Sequence, residues 1–256
     1  MRFASLGSGS QGNALVVEVR STRVLLDCGF GLSETTRRLA RLGIAPEDLC
    51  AILVTHEHDD HIGGVARFAR KHGIPVWLTA GTLRGLHGLF EPDVELHLIE
   101  GYTRFAIGDI EINPFPVPHD AREPAQFVFG DGARGLGVLT DAGHVTPHMQ
   151  RCLNNCAALM LECNHDPALL RDSDYPASLK LRIASRFGHL DNNAARGLLA
   201  GLSGRSALQH VIAAHLSESN NRPDLARSAL ADALGCAQEW IGVADQRSGL
   251  DWRQVI

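Results

Sequence analysis

The stretch Ala51-Ile52-Leu53-Val54-Thr55-His56-Glu57-His58-Asp59-Asp60-His61 decides how this chain is read. Its first four residues form an apolar run of the kind that fills a buried strand. Three imidazoles then crowd into six residues, with carboxylates between them. Imidazole nitrogen and carboxylate oxygen suit a borderline divalent ion such as zinc, and His56-x-His58-x-Asp60-His61 offers more ligands than one open tetrahedral site takes. The spacing therefore points to two ions side by side. Period-two alternation puts His56 and His58 on one side of the loop, whereas Asp60 and His61 begin a helix and turn toward a neighbouring position.

With 256 residues, 45% of them hydrophobic, the chain can bury one large core, and a single domain over 1–256 is expected. No window approaches twenty apolar residues, and Met1-Arg2-Phe3-Ala4-Ser5 lacks the apolar centre of a secretory signal. The expectation is a soluble, cytoplasmic protein without a membrane partner. Cys28, Cys50, Cys152, Cys156, Cys163 and Cys236 show no C-x-x-C spacing and read as reduced thiols, with Cys152 and Cys156 packing rather than binding metal. A net charge of −5 argues against a strongly basic nucleic-acid sleeve but leaves room for a local groove. Apart from Lys71 and Lys180, the 24 basic residues are all arginine, the better bidentate partner for phosphate.

Working outward, strand after strand ends in a ligand-type residue. Residues 3–19 read as strand, Gly/Ser-rich turn and strand; the β-formers after Asn13 exclude a Walker-type phosphate loop, while Ser10 and Asn13 could donate to an anionic substrate. Val24-Leu25-Leu26 runs into Asp27, a carboxylate that needs a partner and can orient a ligand imidazole through its second ring nitrogen. Helices are predicted over 33–43 with Ser33 as N-cap, over 62–72 with Gly63-Gly64 packed against the metal loop, and over 79–90. His87 and His97 read as structural. An antiparallel meander from about 94, with segments 96–98, 105–107, 110–112 and 115–117, delivers His119 beside Pro116 and Pro118. Asp141 ends the next apolar run, where a carboxylate can offer one oxygen to each of two ions. Residues 157–161 lead to Glu162-Cys163-Asn164-His165-Asp166. Helices follow at 176–187 and 191–203, the second capped by Asp191, and the strand 208–214 ends in His215. His56, His119, Asp141 and His215 thus come from separate strand ends, as ligands at the edge of layered α/β folds do. Two strand-rich halves, each followed by helices, fit two face-to-face sheets with helices outside.

In this order the motifs resemble the metallo-β-lactamase superfamily across nearly the whole chain. The resemblance implies an α/β fold, the αββα four-layer sandwich. It also implies a dinuclear site in which His56, His58 and His119 hold one ion, Asp60, His61 and His215 the other, and Asp141 bridges. Aspartate at 141 is similar to the phosphodiesterase and hydrolase branches; true β-lactamases usually carry cysteine there. Residues 5–13, 162–166, 175–180, 188–192 and 214–221 resemble the WalJ/YycJ-type branch, which is linked to 5′-to-3′ exonuclease activity on DNA. The PhnP and tRNase Z phosphodiesterases are similar too, with a His-Leu pair like His189-Leu190 near the leaving group. Asp191 departs from the more usual Ser, a change that a helix cap tolerates.

The expected chemistry is therefore phosphodiester hydrolysis, with nucleic acid as the substrate. Two divalent ions about 3.5–4 Å apart, zinc or manganese with iron as a further option, generate a hydroxide near neutral pH and clamp a phosphoryl oxygen. The expected roles are Asp60 or Asp141 orienting that hydroxide, His189 protonating the departing oxygen, and His165 or Asn164 steadying the phosphate. Two other readings stay open: hydrolysis of a lactone or thioester on the same site, and a metal-binding regulator without catalysis. Both a monomer and a homodimer are compatible with the sequence.

Overall fold

Runs such as Leu15-Val16-Val17 and Val24-Leu25-Leu26, apolar at successive positions, need cover on both faces of the strands they form. The computed structural model, which describes residues 1–256, supplies that cover with two sheets packed face to face and helices outside each. The first sheet contains β1 (Arg2–Gly7), β2 (Ala14–Val19), β3 (Thr22–Leu26), β4 (Ala51–Leu53), β5 (Val76–Thr79) and β6 (Leu96–Ile99). The second contains β7 (Phe105–Ile107), β8 (Ile110–Pro116), β9 (Ala125–Gly130), β10 (Gly135–Leu139), β11 (Ala158–Glu162), β12 (His210–Ala214) and β13 (Gly242–Val243). A last strand, β14 (Leu250–Gln254), returns to the first sheet and pairs with β1. The spatial orders are β14-β1-β2-β3-β4-β5-β6 and β13-β12-β11-β10-β9-β8-β7.

Each sheet is half antiparallel and half parallel, with the change at β3 in the first and at β10 in the second. Parallel neighbours end at the same edge. The residues that follow β3, β4, β10 and β12 therefore emerge together, and the β8–β9 connection joins them because β8 runs the same way as β10.

The helices are α1 (Leu32–Arg41), α2 (Asp59–Ile62), α3 (Val65–His72), α4 (Ala80–Gly85), α5 (Pro147–Leu153), α6 (Pro167–Asp172), α7 (Ala177–Ile183), α8 (Asn192–Gly201) and α9 (Pro223–Leu234). Alternation along the strands sorts the core into three layers. Phe3, Val17, Leu26 and Leu53 meet Phe127, Phe129, Val138 and Met160 between the sheets. Val16, Leu25 and Ile52 pack outward on Leu39 of α1 and on Val65 and Phe68 of α3. Leu159, Leu161 and Val211 pack on Met149 of α5, Leu198 and Leu199 of α8, and Leu230 of α9. This is the expected αββα sandwich.

Several local expectations are corrected. The first helix starts at Leu32 with Gly31 as its cap, because the Gly31 carbonyl accepts the first helical bond, from Thr35 N–H, which leaves Ser33 inside the turn. The helix expected over 62–72 is two, α2 and α3, broken at Gly63-Gly64. A Cβ at Gly64 would lie 1.9 Å from the Phe30 carbonyl oxygen, so the glycine lets the loop after β3 pass against the break. Helix 79–90 shrinks to α4, with Thr79 capping it through a bond from Thr82 N–H. The meander starts at β7, since β6 pairs in parallel with β5, and β8 is one strand from Ile110 to Pro116. Helix 176–187 shortens to α7, and α5, α6, α9, β13 and β14 are elements beyond those the sequence predicts.

Phe127 fills the space between the sheets and is fully buried. Phe127→Ala is expected to lower unfolding free energy by about 3–5 kcal/mol, read from the midpoint of a urea titration at unchanged slope.

Candidate metal centre

At the edge where the parallel strands run out, the backbone turns side chains inward. Asp27, Asp141 and His215, which follow β3, β10 and β12, all adopt left-handed conformations, with φ of 59°, 53° and 54°. Aspartate and histidine are among the non-glycine residues that tolerate this region. The turn carrying Asp60 and His61 is clamped by backbone bonds from Asn13 N–H to Asp60 O (2.7 Å) and from Cys28 N–H to His61 O (2.8 Å). Gly29 makes that approach feasible, since a Cβ there would lie 1.9 Å from Asp60 O.

These elements bring together all seven residues read as ligands. Ring nitrogens and carboxylate oxygens of His56, His58 and His119 form one group, and those of Asp60, His61 and His215 a second. Asp141 groups with His56 and His61, all atoms in each group lying within 4.8 Å of one another. His58 Nδ1 and His119 Nε2 face each other at 3.2 Å. His61 Nε2 is 3.1 Å from Asp141 Oδ2 and 3.5 Å from Asp60 Oδ2, and His215 Nε2 is 3.3 Å from Asp60 Oδ2. His56 Nε2 is buried with no hydrogen-bond partner, and Asp141 Oδ2 is buried with nothing beyond its ion pair to His61, a costly state for polar atoms and the expected one for atoms that ligate a cation. The donor set therefore fits divalent metal binding.

The remaining ring nitrogens are held from behind. Asp27 accepts from Thr55 N–H (2.8 Å) and from the Thr55 hydroxyl, and its Oδ2 lies 2.7 Å from His61 Nδ1. Because an ionised carboxylate only accepts, the Thr55 proton goes to Asp27, and the same oxygen, 3.0 Å from His56 Nδ1, is left to accept from that ring. His56 is thus fixed as the tautomer with a free Nε2 lone pair. His119 Nδ1–H donates to Gly188 O at 3.0 Å, which frees its Nε2 in the same way.

The protein's own charges divide the cluster. Burial opposes a charge on His61, but Asp141, Asp27 and Asp60 outweigh it and hold the imidazole well above its usual range. Burial also penalises Asp141, yet His215 and His61 hold its carboxyl far below the carboxylate range. His56, buried and beside His61, is pushed well below the imidazole range.

The cluster opens into a cleft of about 340 Å³ whose walls include Ser10, Asn164, Tyr175, Arg182 and His189. Ser10 is exposed on it, as a substrate donor would be. In place of an accessible donor, Asn13 is 6% exposed: its Oδ1 accepts from Gly9 N–H and its Nδ2 donates to Gly9 O and the Asp60 carbonyl. It holds the Asp60 turn. His165 is buried behind Asn164, with its Nδ1 3.3 Å from Asn164 Oδ1. Asp191 caps α8 through a bond from Ala194 N–H, as read.

Glu162 was not singled out by the sequence reading. Fully buried at the end of β11, it accepts from Ala142 N–H (2.9 Å) and Leu190 N–H (3.1 Å), and its Oε1 lies 2.8 Å from His189 Nδ1. Burial works against a charged His189, but Glu162 and Asp141 overcome it and raise the imidazole to about 9. The signal was available, because Glu162 ends an apolar strand just as Asp27 and Asp141 do. Asp120, the residue after His119, lies 3.5 Å from His119 Nε2 and takes a bond from Arg182 Nε–H (2.7 Å). A larger cavity, about 650 Å³ between β8 and α5, is lined by none of these residues.

Among solved structures, the metallo-beta-lactamase fold protein YhfI from Bacillus subtilis superimposes with a TM-score of 0.77 over 98% of both chains, at 15% identity, a likeness of fold alone. The chain is 35% identical over 247 residues to exodeoxyribonuclease WalJ of Streptococcus pneumoniae, covering 94% of this chain and 91% of that one. It is also 35% identical over 237 residues to exodeoxyribonuclease YycJ of Bacillus anthracis, covering 91% and 89%. The family model of the beta-lactamase superfamily domain matches residues 22–210. With most of its length inside that domain and relatives matched nearly end to end, the chain belongs to the beta-lactamase superfamily.

Proposed function

We propose that this chain is a metal-dependent phosphodiesterase that shortens DNA from its 5′ end. The observation that carries the reading is the convergence of two ligand groups around Asp141 at the floor of an open cleft. The exodeoxyribonuclease names of the matched relatives supply the polymer. In this reading His56, His58 and His119 hold one ion, Asp60, His61 and His215 the other, and Asp141 stands between them. Zinc and manganese suit the imidazole-rich set, and iron is compatible. When bound, the ions supply Lewis acidity toward a phosphoryl oxygen and the attacking water.

The side chains supply the rest. Asp60 and Asp141, acceptors at the cleft floor, orient the attacking water. Asn164 offers its amide to the phosphate from one wall, with His165 supporting it from behind, and Ser10 offers a hydroxyl from another; Asn13 steadies Asp60. His189, its Nδ1 held by Glu162, presents its other nitrogen and gives a proton to the departing oxygen. The work is assigned to one domain over 1–256 in the cytoplasm, a setting that suits six unpaired thiols. No helix is long and apolar enough to cross a membrane.

End-labelled single- and double-stranded DNA and RNA, digested with zinc or manganese in turn, test the proposal. Stepwise shortening of DNA is expected. No cleavage of any polymer, alongside rapid lactone or thioester turnover, overturns it, and metal uptake without turnover of any substrate leaves only a regulator. His189→Ala, at unchanged metal content, should lower kcat on DNA by about 10²- to 10⁴-fold. The loss on bis-p-nitrophenyl phosphate should be smaller, because p-nitrophenolate departs without a proton. Asp27→Asn weakens the carboxylate that orients His61 and should cut metal affinity about 10- to 100-fold in a competitive chelator titration.

A further inference from the structure

The segment containing α7 stands over the cleft in an unusual way. None of the residues of α7 is buried, yet Tyr175, Leu179, Arg182 and Ile183 line the cleft. Phe187 is 56% exposed although it lies next to Gly188, whose carbonyl holds His119, and two residues before His189. Its backbone is pinned: Asp120 N–H donates to Phe187 O (3.0 Å), His144 Nδ1–H to Arg186 O (2.9 Å) and His189 N–H to Ile183 O (2.9 Å). A large aromatic side chain is thus left in water on a pinned stretch of backbone, one residue before the cleft-lining Gly188.

Charge follows the same segment. Residues 175–189 carry Lys180, Arg182 and Arg186 and no carboxylate, in a chain of net charge −5. Lys180 is engaged by the carbonyls of Arg171 and Ser173. Arg182 donates to Asp120 through Nε, leaving its outer nitrogens in solvent, and Arg186 forms no ion pair. Along the chain, two aromatic residues bracket a helix of about 10 Å and the arginines lie between them, a combination of surfaces for base faces and for backbone charge.

We infer that Tyr175 and Phe187 form a stacking platform for unpaired terminal bases of the strand being cut, with Arg182 and Arg186 beside its phosphates. The inference rests on the nuclease reading above and adds the form in which the strand is held. Base faces are hidden in a duplex, so the end must be single-stranded or frayed to seat there. The platform is indifferent to sequence, since every base has a face to stack.

The test uses the metal-loaded protein and its Phe187→Ala, Phe187→Trp and Tyr175→Ala variants on single-stranded oligonucleotides with normal or abasic 5′-terminal residues. For normal ends, Phe187→Ala should raise KM about 5- to 150-fold with kcat kept, Tyr175→Ala should act in the same direction, and Phe187→Trp should restore binding. For abasic ends, wild type should already show the higher KM, and Phe187→Ala should add nothing. Equal losses on normal and abasic ends, or no loss on either, overturn the platform. Should wild type cleave no oligonucleotide while turning over bis-p-nitrophenyl phosphate, the nuclease reading fails separately. Fluorescence anisotropy with the same labelled strands then decides the platform, with retained affinity in both alanine variants overturning it.

Discussion

A carboxylate at the end of a buried apolar strand is costly unless something positive meets it, and that requirement organises this protein. Asp27, Asp141 and Glu162 stand at three such ends, and each is nearly or fully buried. His61 from α2, His215 from the end of β12 and His189 from the segment before α8 meet them, so the place where the sheets would be electrostatically weakest becomes the place where ligands gather. The parallel half of each sheet serves the same need, because parallel neighbours all end at one edge.

The two ligand groups are not independent. The Thr55 hydroxyl lies 3.0 Å from His56 Nδ1 and 3.2 Å from His61 Nδ1 while bonding Asp27, so one side chain touches an imidazole from each group. Asp141 reaches both from the other side. The two groups are thus joined through two or three short, buried contacts. On the opposite wall, Glu162 ties His189 to the backbone of Ala142, just after Asp141, and thereby fixes His189 relative to the cleft floor.

Much of this was legible in the residues themselves. The apolar run before His56, the ligand spacing after it and the Asp or His at later strand ends mark the residues that the structure gathers, because metal chemistry restricts residue type and strand ends restrict position. What escaped notice depended on partners distant in sequence. Gly64 breaks a helix only because Phe30 O passes beside it, and β6 leaves the meander because β5 offers a parallel edge. Asn13 reads in sequence as a turn amide free to donate, whereas the Asp60 turn folds over it. Glu162 shared the signal of Asp27 and Asp141, but it sat inside a motif read for Asn164 and His165. The helix α9 shows a weak apolar stripe of alanines and leucines, and its packing on α8 rather than its own pattern defines it.

The left-handed backbone at Asp27, Asp141 and His215 bears on how such a protein could lose its chemistry in evolution. At these positions one residue serves both the chain reversal and the site, as a ligand-type side chain at 141 and 215 and as the support of His61 at 27, and asparagine or glycine would keep the reversal while discarding that carboxylate or imidazole. A lineage drifting that way would retain its layers, its cleft and its outward resemblance to active kin. Inert descendants of this architecture would therefore be recognisable only by the identity of a few turn residues, not by any change of shape.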